Sequence, residues 1–374
     1  NGSQQQWLIR NSEVGVWTNA VWNQVFAGVV GAPDASAFPN PPYTTLERTP
    51  LSREKPLLNL SADGQWQVTV PYAAAQTRGT TWATGATPGR TVPLSAFFVA
   101  HPGDSLALIN AALAAGKNLL LTPGVYDVDR SIVVRRAGQI VLGMGMATLT
   151  SVNGATPLVV EDRAGIVVAG ITVDAGPTTS EALLTVGAGS GRGGARPGGA
   201  TAADPLTLSD VFFRVGGPHP GSTKAGMVID SDHVLVDHTW VWRADHGVES
   251  GFTAGVLGDT DRWRVNTAAN GLIVNGADVT ATGLFIEHFQ QHNTVWNGER
   301  GQVIFFQNEL PYDPPSQADW TQPDRTLGYP AYVVGAGVQD HRLWGGGSYV
   351  YNRNNPAIVT AHSFQVPDRP GVVL

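Results

Sequence analysis

Glu287 and Glu309 are the two residues whose type and spacing best suit acid–base chemistry, because they occupy equivalent places in a sequence that repeats itself. Residues 270–291 (NGLIVNGADVTATGLFIEHFQQ) and 292–313 (HNTVWNGERGQVIFFQNELPYD) superimpose without a gap, Asn-Gly on Asn-Gly and Glu287 on Glu309, at a period of 22. Residues 225–247 fit the same template if a loop is allowed between Gly247 and Asn270. A fixed period in the low twenties, built of short β-rich segments, marks a β-solenoid in which each repeat is one coil. Equivalent positions then lie on neighbouring strands about 4.8 Å apart. Two carboxylates that close raise each other's proton affinity, so one keeps its proton and can act as an acid, as glycosidic bond cleavage requires. The plain alternative is two solvated glutamates at strand ends.

The surroundings favour a sugar. Trp240, Trp242, Trp263, Phe289, Trp296, Tyr312, Trp320, Tyr329, Trp344 and Tyr349 crowd the same region, and the template puts Trp242 on the outward-facing column of Glu287 and Glu309. A flat indole beside carboxylates suits the face of a pyranose, with Asp245, His246, Gln290, His292 and Asn308 near enough to contact hydroxyls. His233, Asp237, His238, Asp245, His246, His288 and His292 also lie close in sequence or in stacking, but without a recognised ligand spacing, so no metal and no cofactor is expected. No Gly-x-Ser-x-Gly elbow supports a serine hydrolase. The glycine-rich residues 187–200 lack Gly-Lys-Ser/Thr and a following helix, and read as a surface loop.

Composition narrows the partners. The net charge of -7 argues against nucleic acid and for a neutral partner, and no run of 18 apolar residues exists to cross a membrane; with the acidic pair above, the expected partner is a neutral polysaccharide. Only 14% of residues are charged and 45 are glycine, in keeping with many tight turns and short strands. Without cysteine, neither disulfides nor thiolate metal sites contribute.

The elements that must hold the pair follow along the chain. Residues 1–31 read as the last coil or coils of one β-helix. Residues 32–96, rich in proline and threonine, read as a semi-rigid linker wrapping a surface, with one hairpin around Leu58–Val70. From residue 97 a second stack opens with a capping helix, Asp104 its N-cap, Leu106, Ile109 and Leu113 its inner face and Gly116 its stop. Short Val/Ile/Leu runs broken by Gly, Asn or Asp then fit strands buried within parallel coils. Insertions after Gly247 and between Pro311 and Pro330 flank the acidic pair as walls. The abrupt start in strand-like sequence and the apolar end suggest part of a longer protein, packed against a β-helical segment outside this chain.

Four motifs in order, Ala244-Asp245-His246, Ile286-Glu287-His288, Gln307-Asn308-Glu309-Leu310-Pro311-Tyr312 and Trp344-Gly345-Gly346-Gly347-Ser348-Tyr349, resemble glycoside hydrolase family 55, the β-1,3-glucanases. The resemblance covers the chain from about residue 97, and residues 1–31 more faintly. It implies two right-handed parallel β-helices joined by a long linker, with the active site in the cleft between them. It also implies exo-acting, inverting hydrolysis by a secreted enzyme. Glu309 then matches the general acid, Glu287 the carboxylate beside it, and Tyr312 an aromatic of the subsite. The attacking water is held partly by a glutamine and a serine of the first helix. Gln4, Gln5 or Gln6 can supply the glutamine, Gln5 being singled out, but no serine near Ala27-Gly28 matches.

The expectation is therefore an all-β, right-handed parallel β-helix that hydrolyses β-1,3-glucan through Glu309 and Glu287, with Tyr312, Trp242, Asp245, His246, His288 and Gln5 contacting substrate. The rivals are a non-catalytic carbohydrate-binding solenoid and a polysaccharide lyase on the same fold. Within the pair, Leu310, Pro311 and Tyr312 are expected to desolvate Glu309 and raise its pKa, while the polar neighbours His288, Gln290 and His292 keep Glu287 ionised.

Overall fold

In a computed structural model, residues 6–18, 23–37, 42–187, 197–246, 261–352 and 355–374 are described. Two long parallel sheets dominate them. An eight-stranded sheet runs from Ile132–Val134 to Phe364–Gln365, and an eleven-stranded sheet runs from Phe97–Ala100 to Gly371–Val373. The chain visits the two alternately, one strand each per coil, so Thr267–Val274 is followed by Thr280–Glu287, Thr294–Trp296 and Gly301–Glu309.

The 22-residue period is visible in the register. Leu272 pairs with Thr294, and Thr280 to Glu287 pair residue for residue with Gln302 to Glu309 apart from one skipped position. The line at 225–247 joins at the offset the template requires, Ala225 on Asn270 and Trp242 on Glu287. Inward residues from both sheets form one continuous core, among them Val236, Val241, Leu284, Ile286, Val303, Phe306 and Trp296.

The skipped position is a corner. Gly170, Asp210, His238, Gly283, Phe305 and Gly345 all have φ between 51° and 70° and drop out of the ladder on successive strands, bending each long strand into two faces. Three of the six are not glycine, so the stack imposes a left-handed backbone that isolated residues of these types avoid.

The expected helix spans Leu106–Ala114 and buries Leu106, Ile109 and Leu113, and its Gly116 takes φ 95°. Its N-cap is Ser105, whose hydroxyl accepts from Leu108 N at 3.3 Å. Asp104 was the expected cap, but its carboxylate is turned back to the His101 amide at 2.8 Å, closing the preceding turn.

Residues 7–46 make a small parallel sheet of Trp7–Arg10, Gln24–Ala27 and Tyr43–Leu46. Its third strand lies inside the stretch read as linker, where Tyr-Thr-Thr-Leu has strand-forming side chains. Further on, Leu57–Leu60 and Trp66–Pro71 form the expected hairpin, to which Gly89–Pro93 adds a third antiparallel strand. Val68, Val70 and Val92 cover the outward side chains Leu120, Ile140, Leu142, Val167 and Ala169 of the stack.

The small sheet docks on the corner column. A Cβ on Gly283 would stand 3.2 Å from Leu8 Cδ2, and one on Gly345 would stand 2.2 Å from Val25 Cγ2. Val25 and Ala27 pack with Ile304 and Phe305, and Asn23 donates to Gly345 O at 2.8 Å.

Candidate active site

Beyond the corner, the outward column reads Asp174, Arg214, Trp242, Glu287, Glu309, Tyr349 in consecutive parallel pairs. Parallel pairing alone thus puts the two glutamates side by side, with an indole on one flank and a phenol on the other. Arg214 is held away by a two-pronged contact to Asp174 at 2.8 and 2.7 Å.

The two carboxyls differ in their partners. Trp240 Nε1 donates to Glu287 Oε2 at 2.8 Å, and Trp240 and Trp242 stack nearly parallel with ring centres 5.3 Å apart. Burial raises the Glu287 pKa, opposed by His288 and the Trp240 hydrogen bond and reinforced by the charge of Glu309. The Glu309 side chain is 24% exposed, accepts from the Tyr312 hydroxyl, and lies 3.7 Å from His288 Nε2. The expected division is therefore corrected: desolvation falls on Glu287. Leu310 is fully buried and packs away from the carboxyl, against Trp320, Ala331 and Ile358.

Behind Glu309 lies a buried polar network. Asp245 Oδ2 accepts from Tyr312 N at 2.7 Å and lies 3.2 Å from His288 Nδ1, while its Oδ1 meets His246 Nδ1 at 2.5 Å. Burial alone would raise the Asp245 pKa, but His288, the His246 hydrogen bond and Arg243 outweigh it and hold the carboxyl below its ordinary range. Asp245 and His288 were expected to touch substrate. Their side chains are 0% and 1% exposed, so they act on Glu309 and Tyr312 from behind. His246, at 38% exposure, faces outward, stacked on Tyr312 at 5.3 Å and edge-on to Trp242 at 6.0 Å.

Asp245, His246 and His288 bring possible ligand atoms within 4.8 Å of one another, a grouping that sequence spacing did not show. The shared hydrogen bonds already engage Asp245 with both imidazoles. Their geometry is that of a network that orients rings.

Residues 247–260 of the first insertion lie outside the described residues, but its end at residues 262–266 and the loop after Glu309 are held beside the column by a fully buried ion pair. Arg243 meets Asp313 through two contacts, 2.9 and 2.7 Å, and also donates to Asn266 O, Arg262 O and His288 O. Gln290 and His292 serve these walls, Gln290 donating to Trp263 O at 2.6 Å and His292 meeting Pro330 O at 3.1 Å. Asn308 is buried and donates to Ile286 O at 2.8 Å, so it braces the strands rather than facing the groove.

The small sheet closes the far side. Gln6 lies beside the phenol of Tyr349, the strand neighbour of Glu309, and its Oε1 accepts from Asn23 Nδ2 at 3.0 Å. A cleft of about 500 Å³ opens between the two parts, lined by Gln6, Trp7, Arg10, Asp237, His238 and Phe285, and Phe285 lies two positions before Glu287 on the same strand. Gln5 lies outside the described residues. Trp240, Tyr349 and Gln6 are the neighbours of the pair that the choice of site residues passed over. Trp240 was legible only as one aromatic among ten, and nothing in the sequence pairs Gln6 with Tyr349.

A parallel solenoid carrying two stacked carboxylates in an aromatic-walled groove is the frame on which the comparisons fall. Residues 97–309 match the LAM55 pectate lyase-like domain, and the chain belongs to that family. It is 48% identical over 370 residues to the exo-beta-1,3-glucanase of Streptomyces sp. (strain SirexAA-E / ActE), covering 99% of this chain and 58% of that protein. The chain therefore spans less than two thirds of that relative. The structure of sacteLam55A from Streptomyces sp. SirexAA-E superimposes with a TM-score of 0.90 at 48% identity, over 99% of this chain and 64% of that one. A point variant of sacteLam55A in complex with glucose gives a TM-score of 0.89 at 46% identity, over 98% and 63%.

Proposed function

We propose that this protein is a secreted glycoside hydrolase that cleaves β-1,3-glucan from a chain end with inversion, Glu309 acting as general acid. The observation that carries the reading is the strand-to-strand register of Glu309 and Glu287 in a groove walled by Trp242, His246 and Tyr312. Family membership and the printed activity of the Streptomyces relative support the substrate class, and the glucose complex of its variant supports a pocket fitted to that sugar unit.

Inversion sets a geometric demand. Acid and base flank the sugar about 6.5–9.5 Å apart, leaving room for water, whereas strand neighbours are about 4.8 Å apart. Backbone spacing does not fix the distance between the carboxyls, and on this reading Glu287 is the neighbour that tunes Glu309 and not the base. The water is held from the opposite wall, where the small sheet presents Gln6 beside Tyr349. On this reading the small sheet is the end of a first right-handed β-helix and the catalytic cleft lies between two such units. Glu287, held by Trp240, tunes Glu309. Brønsted chemistry of this kind asks for no metal or cofactor.

One observation favours a reversed pair: burial raises the proton affinity of Glu287. Against it, each carboxyl has one oxygen engaged, Glu287 by Trp240 and Glu309 by Tyr312, and Glu309 is exposed enough to meet a leaving oxygen with the other.

The test is incubation of the purified chain with laminarin and a panel of other glucans, following product by proton NMR. Release of glucose first seen as the α-anomer, from laminarin alone, is expected. No turnover on any glucan would replace the proposal with a carbohydrate-binding solenoid, and an unsaturated product would replace it with a lyase.

A further inference from the structure

His288 stands between two carboxyls, and its ring is fixed from every side. Nδ1 lies 3.2 Å from Leu310 O and 3.2 Å from Asp245 Oδ2, so two acceptors face it and it carries the hydrogen. Nε2 is thereby left to face Glu309 Oε2 at 3.7 Å. The Tyr312 ring meets the imidazole edge-on at 4.6 Å and the His246 ring at 5.2 Å. The backbone is held as firmly. His288 takes φ 68°, its amide donates to Glu309 O at 2.8 Å and its carbonyl accepts from Arg243 at 3.0 Å. A side chain 1% exposed in a left-handed backbone is an expensive arrangement for a residue needed only to fill space.

We propose that His288, fixed by Asp245, is the positioning residue of Glu309: its Nε2 edge faces Glu309 Oε2 and holds the carboxyl in the rotamer that reaches the leaving oxygen. This rests on the reading of Glu309 as the proton donor. When Glu309 protonates the leaving oxygen it becomes a carboxylate, and the fixed ring keeps that carboxylate in place until solvent returns the proton to it. The other charged or titratable groups around the ring are Glu287 beside it in sequence, Asp313 and Arg243 behind it, and His246 and Tyr312 at its edges. Asp245 is the one whose carboxylate contacts the Nδ1 side.

The test is the carboxyl carbon resonance of Glu309 in protein labelled at glutamate, assigned through Glu309→Gln, followed from pH 3 to 9 beside the imidazole signals. In the unaltered protein the Glu309 signal should show two inflections, the second coinciding with the titration of His288, because coupled groups titrate as a pair. His288→Gln should leave one inflection, and Asp245→Asn should move the second. On laminarin, His288→Gln should lower kcat about 10- to 100-fold with little change in KM, as misplacement of a catalytic group does, yet keep most activity on an aryl glucoside with a good leaving group. A single inflection in the unaltered protein, independent of His288, overturns the proposal even if no variant folds. So does a His288→Gln enzyme with unchanged kcat and pH profile. Full laminarin activity in Glu309→Gln would instead overturn the function while leaving the titration to decide the coupling.

Discussion

The residue that most changes the account of the site is Trp240. Its indole donates to Glu287 and, with Trp242, shields that carboxyl, so the glutamate expected to sit in the more polar setting is desolvated. A folded-state carboxyl whose pKa is raised binds its proton more tightly than in the unfolded chain. Its contribution to stability is present at low pH and is lost as pH rises from the ordinary value of 4.5 through the raised one. Glu287→Gln keeps the shape and an acceptor for Trp240 but removes the charge. It should therefore melt at or above the temperature of the unaltered protein at pH 7, with the advantage vanishing near pH 4. A lower melting temperature at pH 7 would show that the ionised carboxylate is stabilising. The sequence could not reveal this division, because register pairs Trp240 with Phe285, and its reach to Glu287 depends on indole orientation. The sequence did place Trp242 beside Glu287, because register within a solenoid is a counting problem.

Among the elements, the insertions flanking the pair depend on one buried bond. Arg243 and Asp313 are both 0% exposed and join the end of one strand to the loop after Glu309. Asp313→Asn would leave the Arg243 charge buried without a counter-ion, at a cost of about 3–5 kcal/mol. Denaturant unfolding should show that loss, and laminarin turnover should fall with it as Tyr312 leaves Glu309; unchanged stability would mean that the loop is held by other contacts. The walls were legible as insertions into the repeat, but the bond that anchors them was not, since nothing in the sequence links residues 70 positions apart. The corner column was hidden for a related reason: Gly283 and Gly345 carry a visible signal there, whereas Asp210, His238 and Phe305 adopt the same backbone because their neighbours do.

Across the whole molecule, charge joins the small sheet and following segment to the large stack. Arg10 bridges Glu54 and Asp237, both at 2.9 Å, and Lys55 and His238 meet Asp210 at 2.6 Å. Burial pushes Asp237 up to about 6 despite Arg10, while His238 and Lys55, overcoming burial, bring Asp210 down to about 2. His238 is raised by its bond to Asp210. The signs differ. Asp210 stabilises above its ordinary value of 3.8 and loses that contribution as pH falls toward 2. The contribution of Asp237 disappears as pH rises from 3.8 through about 6, and that of His238 as pH rises past 6.5. The melting temperature should therefore peak near pH 4 and fall as pH rises through about 6, and Asp237→Asn should flatten that fall. A profile still rising from pH 6 to 8 would contradict this. These contacts lay beyond sequence reasoning because they join residues 1–60 to the repeats, where no period relates the two.

The most direct measurement compares Glu309→Gln with Glu287→Gln on laminarin and on an activated aryl β-glucoside. If Glu309 protonates the leaving oxygen, Glu309→Gln should lose about 10²–10⁴-fold on laminarin and far less on the aryl glucoside, whose leaving group needs no proton. Glu287→Gln should lose similar factors on both substrates and shift the alkaline limb of the rate profile to lower pH, since the negative neighbour that helps Glu309 hold its proton is gone. Full laminarin activity in Glu309→Gln, with Glu287→Gln inactive on laminarin but active on the aryl glucoside, would assign the proton to Glu287 and contradict the account.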